Sequence, residues 1–323
     1  MRFLAILLAT ALISTGTSVF AADEDSPANQ ANLRGAKFLK TLSRDFFEWR
    51  RIQQPAQGDD IPRVERPDGW LPDFSPETLE AYRQRYQDYT ESLDAVEMDG
   101  LSVEDQVDAR LLRAAIERVH WELDVLRAPH RNPLFYVDQT LGSVFELLII
   151  SSPMTAERAE NILLRLEHFP QTIRWAKKNL DQAVRPFAQV TIDTLADIDQ
   201  RLRRMEAGLE PVFPEELKSR LHRDVSKAIS SLQNYSRWLQ KKLDRMRTAF
   251  AIGPNAYQWF LVNVALIPNT PDELLAQGRQ AWNRAVAWDV LEQNRNSDEP
   301  PLSLFKSTRQ QIQASAVREQ EVR

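Results

Sequence analysis

The sequence predicts an all-α protein, a multi-helix array of about ten helices arranged around one long central helix. Three observations carry that prediction. Glycine is scarce, 9 in 323 residues. No alternation of strand and turn signals recurs along the chain. Apolar residues return instead at three- and four-residue spacing, the period of one helix face, and no fixed-period repeat suggests a solenoid.

The first stretch stands apart from that array. MRFLAILLATALISTGTSVFAADED has one basic residue, an apolar run of about a dozen residues, and Val19-Phe20-Ala21 before Ala22. This is the order of a secretory signal peptide, and the run is too short to span a bilayer. Residues 1–21 are therefore read as a signal and 22–323 as one helical domain, periplasmic or secreted, with no integral membrane segment once the signal is removed. The chain has no cysteine, which excludes lipid attachment through that signal, a disulfide framework, a zinc-thiolate site and a cysteine nucleophile. About 300 residues suffice to bury roughly three quarters of the unfolded surface without staples. A net charge of -5 argues against nucleic acid as a partner, since that would call for a basic stripe.

From Asn29 to about Gln54 a stripe runs through Leu33, Phe38, Leu39, Leu42, Phe46, Trp49 and Ile52. A proline-rich loop of about twenty residues follows, long enough to be either functional or wrapped on the surface. Ser75-Pro76 then caps and opens a helix. Ser102, with Glu104 and Asp105 behind it, opens another that carries Val107, Leu111, Ala115 and His120-Trp121. LFYVDQTLGSVFELLIISSP is apolar on nearly every face and predicts a central buried helix.

Thr155 starts a helix with Ile162, Leu163 and Leu166 as core positions. Over 189–207, Leu195, Ile198, Leu202 and Met205 form one face. Asp197 with Arg201 and Asp199 with Arg203 form i,i+4 pairs on the other, so the basic cluster RLRR reads as a solvated face. The longest element is predicted from Pro214 to about Arg247, on the order of 50 Å at about 1.5 Å per residue.

Tyr257, Phe260, Leu261, Val264 and Ala265 make a short helix bounded by Gly253-Pro254 and Pro268. Thr270-Pro271-Asp272-Glu273 is a capping box. The helix it opens carries Leu274, Gly278, Ala281, Ala285 and Trp288 on one stripe, whose small residues predict a close neighbour. A last pattern runs from Leu304 through Phe305, Thr308, Ile312, Ala316 and Val322 without a stop signal, which predicts an unfinished terminal helix.

The residues offer little chemistry by pattern. None of His120, His130, His168 and His222 has a second histidine four residues away, so H-E-x-x-H is absent. Glu117-Arg118-Val119-His120 has the E-x-x-H spacing of a di-iron bundle, which needs two such motifs; His120 is read as a packed or half-exposed helix histidine. No G-x-S-x-G elbow or phosphate loop occurs. The aromatic run at 257–260 has the spacing of ordinary helical core.

Three blocks, FFEWRRIQQP, NPLFYVDQTLGSVFELL and GPNAYQWFLVNVALIPNTPDELLAQGRQAWNRAVAWD, resemble the bacterial domain of unknown function 885 family. The resemblance runs from about Lys37 to the last residue, with Gly253, Tyr257, Thr270 and Gly278 as its most specific positions. It implies the N-terminal half of a helical zinc metallopeptidase related to the thimet-oligopeptidase kind. In such a protein a later H-E-x-x-H helix binds zinc and its glutamate activates water.

This sequence contains no such motif. The resemblance therefore carries over no catalytic residue, no metal ligand and no cofactor, zinc being expected only in a full-length member. It implies an N-terminal portion, inactive by itself, with peptides or a missing C-terminal half as partners and Tyr257 and Trp259 as substrate-cleft candidates. The alternative is a free-standing, non-catalytic periplasmic binding or scaffold protein. A third reading is an enzyme whose acid-base pair has no recognisable pattern.

Overall fold

Hydroxyl caps set the helix starts. Ser75 accepts from the amide of Thr78, Ser102 from that of Asp105 and Thr155 from that of Arg158, at 3.1 to 3.2 Å. They open α2 (Pro76–Asp94), α3 (Val103–His120) and α7 (Ala156–Asn179). The structure, a computed structural model, describes residues 27–56, 66–149, 153–300 and 304–322. The proposed signal peptide lies outside them. Among the described residues there is no strand, only one isolated bridge between Val184 and Arg247, and no helix is long and apolar enough to cross a membrane.

The chain forms two units, Met1–Ile267 and Pro268–Arg323. The first begins with α1 (Pro27–Gln53), followed by α2 and α3. Then come α4 (Ala128–Arg131), α5 (Pro133–Val137), α6 (Ser143–Leu148) and α7, with a π turn at Trp121–Val125 and another at Asp138–Gly142. It continues with α8 (Arg185–Thr194), α9 (Ile198–Leu209), α10 (Lys218–Lys242) and α11 (Pro254–Asn263). Its core is continuous. Ile162, Leu163 and Leu166 of α7 are fully buried, as are Val225, Leu232, Tyr235 and Leu239 of α10, and these two helices pack along one another. Tyr136 lies at 0% exposure, and its hydroxyl donates to the Pro129 carbonyl at 2.9 Å; the predicted central buried helix is buried through α5 and the π turn at Asp138–Gly142, while in α6 Phe145 is 48% exposed.

Several details differ from the sequence reading. The predicted 34-residue rod is a 25-residue α10 with a 3-10 turn at each end, and α1 with 27 residues is longer. Helix ends tighten in this way to satisfy orphan backbone groups. The 189–207 stretch breaks between α8 and α9, where the guanidinium of Arg201 takes the Thr194 carbonyl that helix continuation would have used. Its ion pairs exist, Asp197 with Arg201 at 2.8 Å and Asp199 with Arg203 at 3.8 Å.

The α1 stripe is buried at Leu39, Leu42 and Phe46, with two of its positions outside the core, and the face of α3 is rotated from expectation. Phe38 and Ile52 of α1 and Val107 and Leu111 of α3 are exposed, and α3 buries Ala109, Leu112, Ile116 and Val119 instead.

The described part of the proline-rich loop is tucked in. Trp70 and Phe74 are buried, and the Trp70 indole donates to the Ile52 carbonyl at 3.0 Å. Arg66 donates to the carbonyls of Arg51 and Gln54 at 2.6 Å each, closing a helix end that has no glycine cap.

The second unit holds α12 (Pro271–Arg295) and α13 (Thr308–Val322). The capping box is formed: Thr270 N donates to Glu273 at 2.7 Å, and Glu273 N to the Thr270 hydroxyl at 3.3 Å. The predicted close neighbour along Gly278, Ala281 and Ala285 is not found among the described residues. A Cβ at Gly278 would meet nothing within 4 Å, and α12 buries no residue.

Candidate functional site

The chain makes a polar cluster where α3 passes into the π turn at Trp121–Val125. That turn carries one extra residue per helical turn, a distortion frequent at functional sites, and it swings Asp124 toward α2. Asp124 is the hub. It accepts from Arg83 Nε at 2.8 Å and from the Tyr86 hydroxyl, and lies 3.4 Å from His120 Nδ1. The Tyr86 oxygen is 3.1 Å from the same nitrogen.

Burial alone would raise the Asp124 pKa, but the hydrogen bonds from His120, Tyr86 and Arg83 outweigh it and hold this carboxyl far below the usual range. The Tyr86 phenol is pushed up by burial and by the Asp124 charge. His120 is raised by its hydrogen bond to Asp124, against a smaller opposing effect of burial.

A second layer covers the cluster. Helix α11 lays Trp259 edge-on to His120, ring centroids 5.4 Å apart, and stacks it on Trp121 at 6.1 Å and 16°. Phe260 packs on Trp121 at 4.8 Å. The His120 side chain remains 37% exposed. With Nδ1 committed to Asp124 and Tyr86, Nε2 is the ring atom left to meet a ligand, as an acceptor when neutral and a donor when protonated. Tyr257, the other cleft candidate, is 43% exposed on the same helix and joins none of these ring contacts. The site therefore brings Trp259 to His120 and leaves Tyr257 at its edge.

Beneath the turn lies a buried ion pair. Arg50 Nη2 donates to both Glu122 oxygens at 2.8 and 2.7 Å, and Arg118 adds a contact at 3.2 Å. Glu122 and Asp138 border a cavity of about 220 Å³ lined by Ala56, Phe74, Leu126 and Phe135. Gln139 fixes its rim by reading both the amide and the carbonyl of Ala56, at 2.8 and 3.1 Å.

Among the described residues no three His, Cys, Asp or Glu side chains gather as a metal would require. Asp124, the carboxylate nearest the His120 ring nitrogen, is already spent on Arg83 and Tyr86, so these residues do not fit zinc. The other histidines serve contacts elsewhere. His130 meets Asp181 at 3.0 Å, His222 meets Glu206 at 2.7 Å, and His168 donates to the Pro72 carbonyl at 3.1 Å. Arg83, Tyr86 and Asp124 were not singled out by sequence. Only the i,i+4 spacing of His120 and Asp124 could have signalled them.

Two histidines give opposite pH signatures. His120 is raised on folding, so its contribution to stability is fully present below the unfolded value of about 6.5 and lost as pH rises through the folded value. His168 is lowered, chiefly by burial, so its contribution is present above about 6.5 and lost as pH falls through its folded value. In thermal melts followed across pH, His120→Gln should flatten the decline on the alkaline side and His168→Gln the decline on the acid side.

The family model described as bacterial protein of unknown function (DUF885) matches residues 53–291, a span that includes the whole His120 cluster and α11. None of the curated proteins matches the chain in sequence. A solved structure of a candidate lipoprotein of unknown function from Shewanella oneidensis is similar, with a TM-score of 0.59 and 13% identity. The likeness covers 86% of this chain and 50% of that one, so the chain spans about half the length of that relative. At such identity the likeness speaks for the all-α fold alone.

Proposed function

The chain belongs to the DUF885 family of bacterial proteins of unknown function, and from that premise we propose that it is a periplasmic or secreted peptide-binding protein and not a complete enzyme. The face around His120 and Trp259 would form one wall of the binding cleft. The rest of that cleft, and any zinc-peptidase chemistry of the family, would come from residues outside this chain.

The observation that carries this reading is the half-exposed His120 ring, oriented by Asp124 and Tyr86 and set edge-on to the Trp259 indole. An oriented imidazole offers a peptide carbonyl or carboxylate one directed hydrogen bond, and the indole offers an apolar side chain a flat platform. Two further facts support a partner half. The similar solved chain is longer, 86% of this chain matching only 50% of that one, and α12 presents Trp282 at 70% and Trp288 at 62% exposure, apolar surface of the kind a second body covers. The secreted placement rests on the signal-like residues 1–21.

Binding of short aromatic peptides to the purified chain, followed by tryptophan fluorescence, tests the reading. Trp259→Ala should weaken binding about tenfold, the loss expected for one stacked aromatic contact, and Tyr257→Ala by less. Equal affinity in Trp259→Ala would sink the cleft. Zinc-dependent peptide hydrolysis by the chain alone would sink the non-catalytic part.

The continuous core of Met1–Ile267 favours a second reading, a free-standing binding or scaffold protein. It differs in predicting a monodisperse preparation that binds no hydrophobic dye, where an uncovered partner face would bind it.

A further inference from the structure

The first unit has a second concave feature, made by different helices and independent of the His120 cluster. An open groove of about 710 Å³ runs along the seam between α7 and α10. On α10 its lining residues are Arg223, Lys227, Ser230 or Ser231, and Asn234, spaced i, i+4, i+7 or i+8, and i+11. That row extends on the order of 16 Å along the helix. On α7 the facing row is Pro170, Ile173, Arg174 and Lys177.

The groove is positive in a protein that is otherwise negative. Arg174, Lys177, Arg223 and Lys227 line it, and no carboxylate does, although the whole chain carries a net charge of -5. One buried carboxylate, Asp224, sits behind the α10 row and meets Arg223 at 3.0 Å and Lys227 at 3.9 Å. Arg220, at 3.6 Å, shares it. His222 at the end of the groove is held by Glu206. The α7 cations have no such counter-charge: Arg174 donates to the neutral Gln171 side chain, and among the described residues Lys177 makes no ion pair. Asp224, shared with Arg220, and the charge of Glu167 offset the α10 cations in part, and with Arg174 and Lys177 outside any ion pair among the described residues the strip stays positive, with a field that would draw an anion to it.

Shape decides which anion. The four charges are spread along two helices and do not converge on a point, which disfavours a free phosphate or sulfate. The strip continues into the hydroxyl of Ser231 and the amide of Asn234, and its floor holds the apolar Pro170 and Ile173. Charge, hydrogen-bonding groups and an apolar floor in one line of about 16 Å fit an extended peptide of about five residues at roughly 3.3 Å each. We propose that the α7–α10 groove binds an extended acidic peptide segment of a partner protein.

The test is fluorescence polarisation of a labelled hexapeptide rich in glutamate, titrated with the purified chain. A lysine-rich peptide of the same length is the control, with inorganic phosphate and phosphatidylglycerol vesicles as competitors. Arg174→Glu/Lys177→Glu is the informative variant, because both side chains are exposed and neither touches Asp224. It should keep the wild-type melting temperature and lose about tenfold in affinity for the acidic peptide, and raising the salt should weaken the wild-type complex.

The proposal is overturned by equal binding of the two peptides, by unchanged affinity in the double variant, or by displacement of the peptide by phosphate at millimolar concentration. Capture of the protein by the vesicles in preference to the peptide overturns it too, and assigns the strip to an anionic lipid surface. Trp259→Ala should leave acidic-peptide binding intact, so this groove and the proposed cleft fail or stand separately.

Discussion

Glu122→Leu is expected to cost about 3–5 kcal/mol of folding stability. The side chains of Arg50 and Glu122 are only 8% and 10% exposed, and their two hydrogen bonds are of the short, charge-assisted kind. Removing the carboxylate leaves a buried guanidinium whose remaining side-chain partner is the neutral Gln53. The amide nitrogen of Gln53 is itself buried without a hydrogen bond, so the neighbourhood has no spare acceptor to offer. The pair itself need not add net stability, because both charges had to be stripped of water to form it. Arg50→Met/Glu122→Leu should therefore recover most of the loss.

Urea unfolding of the wild type, the two single variants and the double variant measures this directly as a coupling energy. If the double variant is as damaged as the sum of the singles, the pair is not the unit described here. A functional consequence follows from position. Glu122 adjoins Trp121 in the same π turn, so loosening it should also weaken peptide binding at Trp259 beyond what the stability loss accounts for.

What the sequence made legible follows the range of each interaction. Caps act within three residues, and Ser75, Ser102, Thr155 and Thr270 all cap the helices their neighbours announce. Faces depend on partners distant in sequence. In α3 one helical row runs through Val107 and Leu111 and another through Ala109, Leu112, Ile116 and Val119. Periodicity alone cannot choose between them, and packing with α2 and α1 chose the second.

The break at Thr194 depends on a side chain seven positions away, Arg201, and propensity does not register it. The candidate site was half visible. The aromatic run at 257–260 stood out, but His120 read as an ordinary helix histidine. What orients it is Tyr86 on another helix, and what places Asp124 is a π turn that no hydrophobic period encodes.

Phe46→Ala should cost a further 3–5 kcal/mol or so, by a different mechanism. Phe46 is fully buried and meets Tyr89 edge-on at 5.3 Å and Trp49 at 5.8 Å. Truncation opens a cavity lined by rings that cannot collapse into it. Tyr89 is pinned by its hydroxyl, which donates to the Asp45 carbonyl at 2.9 Å, and by Arg85, whose guanidinium lies 4.6 Å over its ring.

The neighbouring residue supplies the control. Phe47 has the same side chain and helix propensity but is 52% exposed, so Phe47→Ala should change stability by less than about 1 kcal/mol. Alanine is the better helix former, so comparable losses at both positions would mean that burial of the Phe46 ring is not what sets its contribution. Phe46 lies one turn before Arg50 on α1, so its packing also sets where that guanidinium reaches toward Glu122. Combined with Glu122→Leu, Phe46→Ala should cost less than the sum of the two. A helix released by either change has already lost the position that the other one protects.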